Sequence, residues 1–233
     1  NPPGFTVTPT NLSIGEGQSD TFSVALNTQP TSNVTIGVAS TDPTHGFAST
    51  STLTFTSSNW NIPQIVTVNE VDNFIDDGSV SYTIQLAPSN SADAQYNNLD
   101  PADVTVTNID NDTAALFTNL GPLSGGILNT TESGVGATFS YRLLSQPTAP
   151  VTYTFTLSDT SEAVFGFNNL GTATYVVNAS NWSDIRELTV KGVDDLIIDG
   201  NQPYTMTITL SSADPNYNGL TFVANGINAD NDL

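Results

Sequence analysis

Cysteine is absent from the 233 residues, and Lys and Arg together number only 3. Without cysteine no disulfide supports the fold, so a stable domain must rest on its core or on bound metal. The 23 Asp and Glu bring the formal charge to −20, which excludes nucleic acid and anionic lipid as partners, because both are held through Lys and Arg. A single His and no Cys leave zinc and copper without their preferred ligands. No apolar run approaches the ~20 residues that span a bilayer, and membrane insertion is not expected. Nor is an enzyme: the lone His45 has no counterpart in the repeat described next, so no hydrolytic triad can be built around it twice.

What is present is present twice. Asn108-Ile109-Asp110-Asn111-Asp112 returns as Asn228-Ala229-Asp230-Asn231-Asp232, 120 positions later. Asn59-Trp60 returns as Asn181-Trp182, Gln29-Pro30-Thr31 as Gln146-Pro147-Thr148, and Val71-Asp72 as Val193-Asp194. Two domains are expected, residues 1–113 and 114–233, each long enough to bury its own core. The linker near Thr113-Ala114 is too short for a flexible spacer, so the domains are expected end to end. The spacing slides between 117, at Phe22 to Phe139, and 122, at Trp60 to Trp182, which puts insertions between strands. An extra Gly-rich stretch, Leu120 to Gly126, is expected to decorate the first strand of the second copy.

The periodicity is that of strands throughout. Thr21-Phe22-Ser23-Val24-Ala25-Leu26, Thr52-Leu53-Thr54-Phe55-Thr56 and Tyr82-Thr83-Ile84-Gln85-Leu86 alternate polar and apolar residues, and the second copy repeats the plan. Threonine fills the outward places, where its β-branch suits a pleated surface. The expected core of the first copy is Phe22, Val24, Leu26, Ile36, Val38, Leu53, Phe55, Val66, Val68, Ile84 and Leu86. About seven short strands per copy predict an all-β fold, two tandem immunoglobulin-like, seven-stranded antiparallel β-sandwiches with up-and-down strands.

The duplication separates acids that travel with the repeat from surface filler. Retained are Glu16 with Glu132, Asp42 with Asp159, Asp72 with Asp194, Asp77 with Asp199, Asp110 with Asp230 and Asp112 with Asp232. All lie at strand ends or in loops, and alternation of strand ends between two poles brings them to one pole. Residues 1–113 carry 12 carboxylates and no Lys or Arg, so converging acids there need an external cation. Calcium suits them, because it takes 6 to 8 oxygens and tolerates irregular geometry. Asp93 and Asp214 also recur, but away from that pole, and read as turn formers. Trp60 and Trp182 enter a strand at the same point of each copy and read as packing residues, and His45 as a loop residue.

On Gly15-Glu16-Gly17, the Phe22–Leu26 strand, Asp42, Val71-Asp72 with its downstream acids and the closing Asp110-Asn111-Asp112, the copies resemble Calx-beta domains, which occur as tandem arrays in large bacterial surface proteins. The resemblance covers nearly the whole chain and implies a seven-strand sandwich with calcium at one apex. The positions matching its ligands are Glu16, Asp42, Asp72, Asp76, Asp77, Asp110 and Asp112, then Glu132, Asp159, Asp194, Asp195, Asp199, Asp230 and Asp232. Asn73 stands where the second copy has Asp195, and Asp76 where it has Ile198, so ion count and affinity are expected to differ between copies.

The expected function is a calcium-binding structural or adhesive repeat of a large secreted or surface-anchored bacterial protein, with calcium stiffening the array of neighbouring repeats. The bounds at Asn1 and Leu233, the latter just after a completed repeat motif, are those expected of a piece from a longer array. The rival expectation is an adhesin module for a cell-surface protein or glycan, in which calcium only shapes the surface; an exposed aromatic patch near Trp60, Trp182 or Phe167 would favour it. A regulatory calcium sensor would require an attached membrane or signalling segment.

Overall fold

Alternation of Thr or Ser with Val, Ile, Leu, Phe or Tyr gives each segment one wet and one dry face, and the stable outcome is a pair of sheets packed dry face to dry face. The computed structural model describes residues 2–120 and 127–232, and among these no helix occurs. None is therefore long and apolar enough to cross a membrane. The Gly-rich insertion, from Gly121 to Gly126, lies outside the described residues. The chain divides into two compact units, Asn1–Asn73 with Asp77–Asn111 and Phe74–Asp76 with Asp112–Leu233.

In the first unit the strands are β1 (Phe5–Thr8), β2 (Asn11–Gly15), β3 (Ser19–Leu26), β4 (Val34–Ser40), β5 (Gly46–Ala48), β6 (Thr52–Phe55), β7 (Gln64–Glu70), β8 (Val80–Leu86), β9 (Asn90–Ser91) and β10 (Val104–Ile109). One sheet runs β1-β3-β7-β5 and the other β2-β10-β8-β4-β6, with β9 on β4. The second unit holds β11 (Leu116–Thr118), β12 (Ile127–Thr131), β13 (Gly136–Leu143), β14 (Val151–Leu157), β15 (Ala163–Phe165), β16 (Thr172–Val177), β17 (Arg186–Gly192), β18 (Gln202–Ser212) and β19 (Thr221–Ala229). Its sheets, β11-β13-β17-β15 and β12-β19-β18-β14-β16, repeat the order. Both units are β-sandwiches of immunoglobulin type.

Seven strands account for each unit once two of them are recognised as split. The first switches sheets between β1 and β2, or β11 and β12, and the fourth between β5 and β6, or β15 and β16. Two features depart from the antiparallel up-and-down expectation. The pairs β2–β10 and β12–β19 are parallel, because the second half of a split first strand runs beside the last. Non-consecutive strands are also neighbours, as with β3–β7 and β4–β8, which is a Greek-key order. Consecutive strands still run in opposite directions, so their ends still alternate between poles.

All eleven expected core residues of the first unit are buried, joined by Leu12, Ile14, Val34, Tyr82, Tyr96, Val104 and Val106. Each such side chain contributes about 1.5–3 kcal/mol when removed from water. The second core is more aromatic: Tyr141, Tyr153 and Phe155 pack within 5.0 to 6.0 Å of one another, where Val24, Ile36 and Val38 occupy the repeat-equivalent places. Trp60 and Trp182 pack against the two cores.

The pole away from the retained acids is fastened by a repeated device. Tyr96 Oη donates to Thr28 O (2.8 Å) and accepts the Thr28 N–H (3.1 Å), and Tyr217 Oη treats Ser145 in the same way at 2.6 and 3.1 Å. Asp93 accepts the N–H groups of Thr31 and Gln95, and Asp214 those of Thr148 and Asn216. Both aspartates cap turns.

Candidate metal centre

The parallel pairing of the first and last strands places the first acids. In the first unit β2 ends beside β10, Glu16 N donates to Ile109 O (3.1 Å), and Glu16 is buried with Asp110 alongside. Carboxylate oxygens of Glu16 and Asp110 lie within 4.8 Å of each other. Gly17 turns the chain here with φ +68°, and a Cβ at this residue would stand 3.3 Å from Asp72 Cβ. Both the backbone angle and the close approach favour glycine. Asn73 Nδ2 donates to Glu16 Oε1 (3.0 Å), Asn111 Nδ2 to Asp72 Oδ1 (3.3 Å) and Gly78 N to Asp110 Oδ2 (2.6 Å). Asp112 opens the second unit, and Asp76 also belongs to it, where its carboxylate accepts the Ala114 N–H at 2.7 Å.

Asp42 folds back on its own turn, accepting the Thr44 N–H (3.1 Å) and hydroxyl, and meets His45 Nδ1 at 2.8 Å. The Thr44 hydroxyl first, and then His45, hold its carboxyl below the ordinary value. His45 Nε2 lies 3.9 Å from Asp77 Oδ2. His45 is therefore set between two of the retained acids, where the sequence had offered no reason to put it.

The second unit repeats the first arrangement with more carboxylates. Glu132 N donates to Ala229 O (3.1 Å), and Glu132 is 4% exposed. Oxygens of Glu132, Asp194 and Asp232 all lie within 4.8 Å of one another. Asn231 N donates to Glu132 Oε2 (3.0 Å), Asp232 N to Asp230 Oδ1 (2.7 Å) and Gly200 N to Asp230 Oδ2 (2.7 Å). Asp232 Oδ2 is buried and accepts no hydrogen bond. In a second group, oxygens of Glu162, Asp195 and Asp199 also lie within 4.8 Å of one another. Asp159 accepts the Ser161 N–H and hydroxyl, the equivalent of the Asp42 turn.

Glu162 is not among the acids retained in both copies, because its counterpart in the first copy is His45, 117 residues earlier. The spacing Asp159-Thr160-Ser161-Glu162, two acids flanking a turn, was the signal available.

The acids act on one another. At Glu132 the Asn231 N–H lowers the pKa, but burial and the charges of Asp230, Asp195 and Asp232 outweigh it and the net movement is upward. Burial, then Asp194, Asp230 and Asp195, raise Asp232. Asp230 moves down, through the N–H groups of Asp232 and Gly200. His45 lies within 4 Å of Asp42 and Asp77, and Arg186 within 4 Å of Asp184. No Lys or Arg neutralises either group of the second unit.

No protein-family model matches the chain, and no curated protein does. Solved structures of similar fold include calcium binding domain CBD12 of CALX1.1, at 12% identity and TM-score 0.46, covering 95% of this chain and 98% of that one. CBD12 from CALX1.2 follows at 13% identity and TM-score 0.42, with the same coverages of 95% and 98%. The apo-form Calx CBD1 domain is 14% identical over 48% of this chain and 100% of its own, at TM-score 0.39. The chemistry of the site stands on the residues themselves.

Proposed function

We propose that each unit is a calcium-binding repeat, in which calcium at the acid-bearing pole ties together strand ends that would otherwise repel. The observation that carries this reading is the group Glu132, Asp194 and Asp232, whose oxygens lie within 4.8 Å of one another. Two oxygens on opposite sides of one calcium ion are separated by about twice 2.4 Å. Burial of Glu132 and the unbonded, buried Asp232 Oδ2 add to it, since a buried carboxylate oxygen without a donor is costly unless a cation meets it. Every ligand offered is a carboxylate oxygen, the hard donor that calcium prefers over zinc or copper. The residues assigned to calcium are Glu16, Asp72, Asp77 and Asp110 in the first unit and Glu132, Asp194, Asp195, Asp199 and Asp232 in the second. Asp42, Asp159 and Asp230 brace the same loops through their own hydrogen bonds.

Such a module belongs in a large extracellular or surface protein, where calcium is abundant and cysteine-free repeats need another source of rigidity. Isothermal titration calorimetry of the full chain tests the reading directly. Calcium is expected to bind both units, and absence of binding at millimolar calcium would sink it.

One observation favours an additional recognition role. Phe167 is 67% exposed beside a cleft of about 320 Å³ that Tyr175, Arg186 and Glu187 also line. Arg186 lies over the Tyr175 ring, its guanidinium carbon 4.6 Å from the centroid. Aromatic faces with polar neighbours suit a sugar ring, so the adhesin reading attaches to this cleft rather than to Trp60 or Trp182, which pack on the cores. A glycan array with Phe167→Ala as control would test it: binding that the substitution abolishes supports the role.

A further inference from the structure

The second compact unit includes three residues from an earlier part of the chain, Phe74–Asp76. Within that unit they are gripped mainly by their backbone. Gln146 N donates to Phe74 O (2.5 Å) and Asn216 Nδ2 to Asp76 O (2.6 Å), while the Asp76 carboxylate accepts the Ala114 N–H at 2.7 Å. The Phe74 ring leans on Trp182, with centroids 6.1 Å apart. Ile75 and Asp76 are half-buried. Gln146, Trp182 and Asn216 form a socket, and Phe74–Asp76 is its plug.

The duplication provides both parts a second time. The later counterpart of Phe74-Ile75-Asp76 is Leu196-Ile197-Ile198, 122 residues on. These three aliphatic residues are 82%, 58% and 69% exposed, and a contiguous apolar patch of this kind marks an interaction surface. The earlier counterparts of Gln146, Trp182 and Asn216 are Gln29, Trp60 and Gln95. Their local backbone is the same. Leu26 N donates to Trp60 O (2.9 Å) as Leu143 N does to Trp182 O (3.2 Å), and Asp93 holds the Gln95 N–H as Asp214 holds that of Asn216. Gln29 and Gln95 are exposed and Trp60 is half-buried. Gln95 offers the same carboxamide donor as Asn216, on a stem one methylene longer.

Two differences between the copies match each other. The counterpart of Ala114 is Pro3, because Asn27 N donates to Gly4 O and Leu144 N to Ala115 O, both at 2.9 Å. Proline has no N–H to give. Ile198 stands where Asp76 stands, and it has no carboxylate to receive one. An Asp in that place would set an unmatched carboxylate against Pro3, which is costly on burial, whereas isoleucine makes an apolar contact. The second copy's plug is therefore fitted to the first unit's socket.

We propose that Leu196-Ile197-Ile198 docks into the Gln29, Trp60 and Gln95 socket of a second copy of this chain, and is held there as Phe74–Asp76 is held. Leu196 O and Ile198 O accept from Gln29 N and the Gln95 carboxamide. None of these contacts uses a metal, so the inference stands apart from the calcium reading. Plug and socket are different surfaces, so the contact is head-to-tail and does not stop at two copies.

Sedimentation velocity of the full chain tests this, at concentrations up to about 1 mM, because a contact this small is weak between separate molecules. Salt at about 0.15 M screens the repulsion between chains of charge −20. The sedimentation coefficient is expected to rise with concentration past that of a dimer. Gln95→Leu removes one donor from an exposed side chain and should weaken association about 5-fold. Ile198→Asp should weaken it as well, and adding Pro3→Ala should restore it by recreating the Asp76–Ala114 pair, a rescue that a merely adhesive loop would not show. A monomer throughout the range would overturn the inference, as would association that Gln95→Leu leaves unchanged or an Ile198→Asp loss that Pro3→Ala does not repair. A thermal melt of each variant checks folding, and should Pro3→Ala disturb it, Gln95→Leu decides alone.

Discussion

The backbone N–H of Asn231 donates to Glu132 Oε2 across 3.0 Å, so the closing Asp-Asn-Asp motif is fastened by its middle residue to the buried glutamate of the second unit's first strand. The flanking Asp230 and Asp232 then meet a carboxylate of the same sign, which they repel. Glu132→Gln should accordingly raise the calcium-free melting midpoint and shrink the increase that calcium produces. Scanning calorimetry with and without chelator measures both, and a lowered calcium-free midpoint with an unchanged calcium response would count against the ligand role.

Calcium should also protect the loop that supplies Asp194, Asp195 and Asp199. Leu196, with φ +69°, is 82% exposed, and Ile197 and Ile198 are 58% and 69% exposed. Exposed loops of this kind are preferred sites of proteolytic nicking, and ligands at both ends of the segment would pin it. Limited chymotrypsin digestion should cut at Leu196 faster in chelator than in calcium. Equal rates would contradict the assignment of these acids.

The opposite pole should be indifferent to calcium. Tyr217→Phe removes the hydroxyl that serves the N–H, Oγ and carbonyl of Ser145 and leaves a buried donor unsatisfied, at a cost of about 1–3 kcal/mol. The loss should appear in urea unfolding and be the same in calcium and in chelator. A loss that calcium repairs would mean that the two poles are coupled.

Asp93 provides a pH dependence free of metal. The Thr31 N–H, then that of Gln95, lower its pKa in the folded state. The folded group thus holds its proton less tightly than the unfolded one, and its stabilisation is present above the unfolded value of about 3.9 and lost as pH falls through the folded value. Asp93→Ala should lower the midpoint at neutral pH and flatten the decline below about pH 4. Parallel acid limbs for the variant and the unaltered chain would refute the capping role.

Much of this architecture could be read from residues. Alternation alone located the Phe22, Val24 and Leu26 face and the Ile84 and Leu86 face, because a period of two has only one burial solution. The splitting of the first and fourth strands was not legible: Thr8 to Asn11 and Ala48 to Thr52 carry no pattern that says which sheet follows. The parallel pairing of β2 with β10 follows from that split and was hidden with it. At the acid pole the repetition of Glu16, Asp72 and Asp110 as Glu132, Asp194 and Asp230 marked the loops that meet. It could not find Glu162, whose partner in the first copy is His45, and its approach to Asp195 and Asp199 exists only in the folded chain. His45 was missed for the same reason, being brought to Asp77 only by the fold.

The central claim is that calcium relieves the repulsion of carboxylates gathered at strand ends, and a thermal melt in calcium and in chelator tests it most directly. An ion bound only by the native state at a hundredfold above its dissociation constant stabilises by about 2.7 kcal/mol, so the midpoint should rise by several degrees in calcium and fall back when chelator is added. An identical midpoint in the two solutions would contradict the account.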